Sequence, residues 1–187
     1  MTNFDFLKCT PDFSDFSGMA ISSELLLHVD ADACVLCCRR ALETALRWVY
    51  SVEPTVTLPH SDTLVRMIND PSLMELIGND LFEPLNLIRK RGNAAAHGSR
   101  RTTKEEATDA LEALFVFFDR LAYLYATDYR ERPFDPALLD LTVEEALAFV
   151  SVGNEENAPA AESPSERRVA HPLTSAPHPH CPRCKRK

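Results

Sequence analysis

The sequence predicts an all-α bundle over residues 1–150, followed by a disordered tail over residues 151–187. Apolar residues recur at the helical period of about 3.6 through most of the first 150 positions, and strand signal is almost confined to the run TVTL. After Val150 this periodicity stops, and the tail holds six of the 13 prolines among serine, alanine and charged residues. We therefore expect helices at 12–29, 30–50, 61–69, 71–77, 79–97, 103–125 and 142–150.

Polar residues at helix ends predict several boundaries. Asp30 or Asp32 can cap the second helix. Residues 80–83 and 103–106 each have the spacing of a capping box, in which the first side chain and the fourth residue's carboxylate satisfy each other's backbone N–H groups. The pair His97-Gly98 predicts a helix end, because glycine commonly follows the last helical turn.

The helix at 103–125 carries the broadest apolar surface. Its apolar positions step by four and three residues, and Val116 and Leu124 widen the stripe beyond that of an ordinary surface helix. Such a helix lies at the centre of a bundle or also forms part of a dimer interface. We expect a homodimer that associates through helix faces.

Charge and hydropathy exclude two classes of partner. Residues 1–150 contain 24 acidic and 14 basic side chains, a net charge of −10, whereas the tail carries +2. This balance argues against binding nucleic acid over the whole surface, so that any such contact must be a local patch. The longest apolar run, 113–118, is too short to cross a membrane, and the N-terminus lacks a signal-peptide core. A cytoplasmic location is expected.

One segment, 88–101 (IRKRGNAAAHGSRR), has five positive charges and no negative charge. At about 100° per residue, Arg89, Asn93 and His97 follow one edge of a helix, while Arg91 lies about 120° from His97. Gly92 inside the helix predicts close approach of a neighbouring backbone. The alternatives are a solvated helix end, with His97 near the negative end of the dipole, and an anion or nucleic-acid contact formed by Arg89, Lys90, Asn93, Arg100 and Arg101.

Residues 3–139 resemble an uncharacterised helical domain found at the N-terminus of type I restriction enzyme R subunits and in stand-alone bacterial proteins. The resemblance rests on the order and spacing of FDFLKCTPDFSDFS, ACVLCCRRALETALRWVYSVE, LNLIRKRGNAAAH, KEEATDALEALFVFFDRLAYLY and FDPALLDL. This domain is similar to the HEPN superfamily of helical, often dimeric domains, many of which are metal-independent ribonucleases. The resemblance therefore implies a HEPN-like helical bundle.

The resemblance also implies candidate catalytic residues. His97 would help to activate a ribose 2′-hydroxyl, and Arg91 would stabilise the phosphate charge. Gly92 follows Arg91 where these ribonucleases usually carry a polar residue, and the restriction-associated relatives would place the arginine at Arg89. The fold therefore carries over better than the chemistry.

The favoured function is a non-catalytic accessory module of a restriction or defence system, mediating protein interaction or nucleic-acid sensing. Its expected partners are restriction-system subunits and RNA or DNA at the basic patch. The sequence has neither a phosphate-gripping GxxxxGK[ST] loop nor a carboxylate-rich nuclease core, so we expect a detached or truncated N-terminal module that does not translocate or restrict DNA by itself. Two alternatives stay open: an endoribonuclease that uses Arg91 and His97 with Asn93 in a positioning role, and a purely structural dimerisation module.

The cysteines suggest one candidate metal site. Cys181 and Cys184 have the spacing of half a zinc ribbon; a site shared between two chains and a plain disordered basic tail are the alternatives. No other cofactor is expected. By contrast, we expect Cys34, Cys37 and Cys38 to pack in the core, with core or core-edge positions also for Trp48, Tyr50, Tyr123 and Tyr125.

Overall fold

The computed structural model describes residues 1–98 and 100–140, and all regular structure in these residues is helical. Within them lie six α-helices: α1 (Ser14–Leu26), α2 (Ala31–Val52), α3 (Leu64–Ile68), α4 (Pro71–Ile77), α5 (Phe82–Ala96) and α6 (Lys104–Tyr125). Short 3₁₀ helices cover Asp5–Cys9, Pro11–Phe13, Asn79–Leu81 and Pro136–Leu139. The predicted all-α fold is confirmed, while the predicted helix at 142–150 and tail at 151–187 lie outside the described residues.

Helix α2 lies at the centre of the packing, in contact with α1, α5 and α6. It begins as predicted, because Oδ1 of Asp30 accepts hydrogen bonds from the backbone N–H groups of Asp32 (2.8 Å) and Ala33 (3.2 Å). Helix α6 also contacts α1 and α5, so α2 and α6 together form the frame on which α5 lies. The apolar face of α2 is buried along its length, at Cys34, Val35, Cys38, Ala41, Leu42, Ala45, Leu46 and Val49.

Aromatic side chains fill the space between α1, α2 and α6. Phe16 of α1 stacks on Phe118 of α6 with ring centroids 5.3 Å apart, and Trp48 of α2 meets Phe13 edge-on at 5.3 Å. The predicted core-edge position of Tyr123 is wrong, since its side chain is 64% exposed. Tyr123 lies on the outer face of α6, a distinction that helical periodicity alone does not make when the apolar stripe is this wide.

Cys34 and Cys38 of α2 pack in the core as predicted, whereas Cys37 lies outside the core. Cys34 and Cys38 are fully buried, and the half-buried Cys37 donates its thiol hydrogen to the carbonyl of Met19 at 3.3 Å. Burial raises the pKa of the Cys37 thiol to about 11, which keeps it protonated near neutral pH. Cys34 and Cys38 therefore act as small apolar side chains in the core.

Both ends of the described chain are tied to α1. The side chain of Asn3 donates to the carbonyl of Asp135 at 3.1 Å and accepts from its N–H at 2.8 Å. The backbone N–H of Asn3 donates to the buried carboxylate of Glu24, 2.9 Å from Oε2. Burial, the largest effect, raises the pKa of Glu24 to about 7. No sequence pattern pointed to this buried carboxylate.

Three of the predicted helix starts differ from the structure by two or three residues, and one of them is that of α3, which begins at Leu64 and not at residue 61. Helix α1 begins at Ser14, since residues 11–13 form a separate 3₁₀ turn. The predicted capping box at residues 80–83 is wrong: α5 begins at Phe82 without a side-chain cap. Asp80 instead accepts a hydrogen bond from Arg120 of α6 at 3.1 Å. The capping box of Thr103 and Glu106 is confirmed at the start of α6.

Candidate interaction surface

The basic segment forms the second half of α5 and the turn that follows it. The helix ends where predicted: His97 is the C-cap, and Gly98 takes a positive φ of 60° that favours glycine. The side chain of His97 is exposed and makes no hydrogen bond or ion pair with the described residues. The side chain of His97 is therefore exposed to solvent at the C-terminal end of α5.

Gly92 provides the close approach that the sequence predicted, but the neighbour is a side chain. A Cβ atom built on Gly92 would lie 2.7 Å from Cδ and 2.8 Å from Cβ of Arg39 on α2. The stem of Arg39 therefore occupies the space that a larger residue at position 92 would need. Nε of Arg39 is buried and has no hydrogen-bond partner among the described residues.

Arg91 points to the other side of α5, towards α6. Its Nη2 donates to Oδ2 of Asp109 at 2.8 Å, and its Nη1 lies 4.0 Å from Oε1 of Glu106. This Nη1 atom is buried and makes no hydrogen bond within the described part of the chain. The guanidinium therefore links α5 to two carboxylates on α6.

Glu106 receives several donors at once. Nη1 of Arg100 donates to its Oε2 at 2.9 Å, Nη2 of Arg100 donates to its Oε1, and the backbone N–H of Thr103 donates to Oε2 at 3.1 Å. These hydrogen bonds, above all the one from Arg100, lower the pKa of Glu106 to about 2. The loop is further anchored where the N–H of Thr102 donates to Oδ1 of Asp32 at 2.9 Å.

The predicted site residues therefore do not form a single cluster. Arg91 and Arg100 are brought together around Glu106, whereas no described contact joins Arg91 to His97. Nε of Arg89 donates to Oδ1 of Asn86, one turn earlier in α5, at 3.0 Å. The remaining members of the basic segment form no side-chain hydrogen bond or ion pair with the described residues; they are Lys90, Asn93 and Arg101.

Sequence reasoning did not find the cleft between α5 and α6. It has a volume of about 580 Å³, an apolar floor and charged residues of both signs at its edges. The only advance signal was Val116, which widened the predicted stripe and is 42% exposed here. The cleft is lined by Glu83, Pro84, Leu87, Lys90, Arg91, Asp109, Glu112, Ala113 and Val116.

Metal binding finds no support in the described part of the chain. Residues 1–98 and 100–140 contain no group of three or more His, Cys, Asp or Glu side chains arranged to hold a metal ion. The predicted zinc ligands, Cys181 and Cys184, lie outside these ranges. No helix among the described residues is both long and apolar enough to span a bilayer.

Comparison with known proteins identifies the domain but not its activity. Residues 22–135, which run from α1 to the segment after α6, match the family described as a domain of unknown function, DUF4145. No curated protein and no solved structure matches the chain. Because the matched range covers more than half of the 187 residues, this chain belongs to the DUF4145 family.

Proposed function

We propose that this protein is a non-catalytic interaction module of a restriction or defence system and that it pairs with a second copy of itself across the α5–α6 cleft. The HEPN-like relationship, the restriction-system partners and the cytoplasmic location come from the sequence and its resemblances. The observation that carries the interaction role is the cleft itself, in which an exposed apolar floor lies between charged edges.

The cleft fits a copy of itself because its two walls differ in charge. The α5 wall presents Glu83, Lys90 and Arg91, and the α6 wall presents Glu112 and Asp109, of which Asp109 is already paired with Arg91. Around a two-fold axis each surface patch meets its own equivalent, so the α5 wall, through Lys90, can face the more acidic α6 wall of the partner. Val116 lies between them as the apolar contact.

The exposed apolar surface continues along α6 beyond the cleft. Tyr123 lies two turns after Val116 on the same side of the helix and is 64% exposed, and the neighbouring Leu124 is 37% exposed. A charged cleft edge with an adjoining apolar strip has the composition of a protein interface, with aromatic residues near its core. The strip would extend the contact between two copies.

Val116 and Val65 provide a matched pair of variants for testing self-association. Val65 on α3 is 41% exposed and lies away from the cleft, so Val116→Asp and Val65→Asp introduce the same charge at equal exposure. In sedimentation velocity we expect a dimer for the wild type and Val65→Asp, and a monomer for Val116→Asp. A wild type that is monomeric at all concentrations, or a dimer that survives Val116→Asp, would contradict the proposal.

The contacts of Arg91 favour a non-catalytic role over the ribonuclease alternative. A catalytic arginine must reach the scissile phosphate, but Arg91 is held by Asp109 at 2.8 Å and has no contact with His97. The alternative is tested by incubating the purified protein with single-stranded and structured RNAs in EDTA. We expect no cleavage; cleavage by the wild type that is lost in His97→Ala would make the protein a ribonuclease.

Nucleic-acid binding is the second candidate function. It is favoured by the basic side chains that the described residues leave without a counter-ion, Lys90 on α5 and Arg101 in the following loop. Phosphate groups would bind this local patch despite the overall negative charge.

Zinc binding by Cys181 and Cys184 stays a separate prediction, as does a purely structural dimerisation role.

A further inference from the structure

Glu106 lies where two arginines of the basic segment converge. We propose that Glu106 is a built-in counter-ion that occupies Arg91 and Arg100 and competes with the phosphate groups of a nucleic acid for them. This inference rests on the nucleic-acid-binding candidate proposed above. It concerns what limits phosphate binding by the basic segment, and not whether that segment is basic.

The donors around Glu106 match the needs of a phosphodiester. Arg100 presents both terminal nitrogens to the two carboxylate oxygens in a fork, with Nη1 at 2.9 Å from Oε2. A phosphodiester also presents two anionic oxygens, and arginine binds both groups by the same bidentate geometry. Oε1 further attracts Nη1 of Arg91, 4.0 Å away, which is buried without a hydrogen bond in the described residues.

The two arginines differ in how accessible they are to a ligand. The side chain of Arg100 is 63% exposed, whereas that of Arg91 is 22% exposed and is also held by Asp109. A phosphate would therefore engage Arg100 first by taking the place of Glu106. Arg91 stays paired with Asp109, and its Nη1 would attract the phosphate as it attracts Glu106.

Displacement of Glu106 must occur without protonation near neutral pH. The pKa of Glu106 is lowered to about 2, chiefly by Arg100, so the carboxylate keeps its charge under physiological conditions. Only a competing anion, or removal of the charge by substitution, frees Arg100, whereas Arg91 stays held by Asp109. The carboxylate therefore weakens nucleic-acid binding at every physiological pH.

Glu106 also caps the start of α6, and a substitution can remove its charge while keeping this cap. Its Oε2 accepts from the N–H of Thr103, and Thr103 Oγ1 accepts from the N–H of Glu106 at 3.2 Å. Glutamine also serves at this position of a capping box, so Glu106→Gln removes the charge and keeps the cap. Glu105→Gln is the matched control, because Glu105 is the preceding residue of α6 and forms no ion pair with either arginine.

The test is fluorescence anisotropy with the full-length protein, in EDTA, using labelled single-stranded RNA and DNA of the same sequence. A length of about 20 nucleotides exceeds the ~4–16 nucleotides that single-strand-binding domains usually cover. We expect Glu106→Gln to bind about tenfold more tightly than Glu105→Gln, as for one charged hydrogen-bonding site gained. Its plot of log K against log salt should also be steeper, by about 0.7 for each phosphate newly neutralised.

The outcomes separate this inference from the function on which it rests. If the wild type binds but Glu106→Gln and Glu105→Gln have the same affinity and salt slope, the counter-ion role is overturned and nucleic-acid binding stands. If neither the wild type nor any variant binds, both are overturned. Binding that appears only in Glu106→Gln would support the inference most directly, and the RNA and DNA arms identify which backbone is preferred.

Discussion

The two sides of α5 meet their neighbours in opposite ways. On the side of α2 the backbone at Gly92 lies against the stem of Arg39, and the adjacent Ile88 is fully buried. On the side of α6 the two helices are also in contact, but an open cleft lies between them where Arg91 reaches its carboxylate partners. Residue size explains the contrast: the missing side chain at Gly92 leaves room for the stem of Arg39, whereas the long side chain of Arg91 spans an open space.

This difference distinguishes the contact that stabilises the fold from the surface that is open to a partner. The α2–α5 contact excludes water and contributes packing energy. The α5–α6 cleft leaves Val116 exposed and relies on partly exposed ion pairs, which contribute little to stability. Substitutions on the closed side should therefore change folding, and substitutions on the open side should change association.

The largest effect is expected at Gly92. In Gly92→Ala the new methyl group meets Cβ and Cδ of Arg39 at under 3 Å, and such overpacking costs about 1–3 kcal/mol. Replacing glycine by alanine inside a helix otherwise gains about 1 kcal/mol. We expect the free energy of unfolding, measured by urea denaturation, to fall by up to about 2 kcal/mol, the cost of overpacking less the helical gain.

Gly18 supplies the control for this prediction. It also lies inside an α-helix, α1, but a Cβ built there has nothing within 4 Å. Gly18→Ala should therefore raise the free energy of unfolding by about 0.5–1 kcal/mol. Adding Arg39→Ala to Gly92→Ala removes the Cδ contact and leaves the Cβ contact, so it should restore only part of the loss. Equal effects of the two glycine substitutions would show that the α2–α5 contact is not tight.

The sequence predicted those features of the fold that depend on residues close together in the chain. The N-cap at Asp30, the capping box of Thr103 and Glu106 and the helix end at Gly98 each involve neighbours within about one turn. Helical periodicity likewise identified the buried faces of α2 and α6. The all-α fold followed from these local signals.

The surface could not be predicted in the same way because its contacts join distant parts of the chain. Asp80 has the spacing of a helix cap but pairs with Arg120, 40 positions away, and Arg91 pairs with Asp109 across two helices. Periodicity assigns a residue to a face but does not identify the helix opposite that face. The segment that reads as five free cations in the sequence is therefore partly neutralised in the fold.

The smallest effect concerns acid stability on the open side of α5. Arg100, followed by the N–H of Thr103, lowers the pKa of Glu106 from 4.5 to about 2. A carboxyl group whose pKa is lower in the folded state stabilises the protein fully above its unfolded pKa, and this contribution is lost as the pH falls through the folded pKa. The difference in Tm between wild type and Glu106→Gln should therefore be largest above about pH 5 and shrink steadily as the pH falls towards 2.

The wild type and Glu106→Gln must be compared with each other at each pH, because the contribution of Glu24 to stability changes with pH in the opposite direction. Burial raises the pKa of Glu24 to about 7, so its contribution to stability is complete below 4.5 and is lost as the pH rises towards 7. Glu24 is present in both proteins, and its effect cancels in the difference. Scanning calorimetry from pH 2 to 7 would contradict the role of Glu106 if the Tm difference stayed constant. A Tm difference that shrinks on acidification would instead show that the ion pairs of Glu106 beside the cleft stabilise the fold only while Glu106 is ionised. The α2–α5 contact, which has no such pair among the described residues, should not depend on pH in this range.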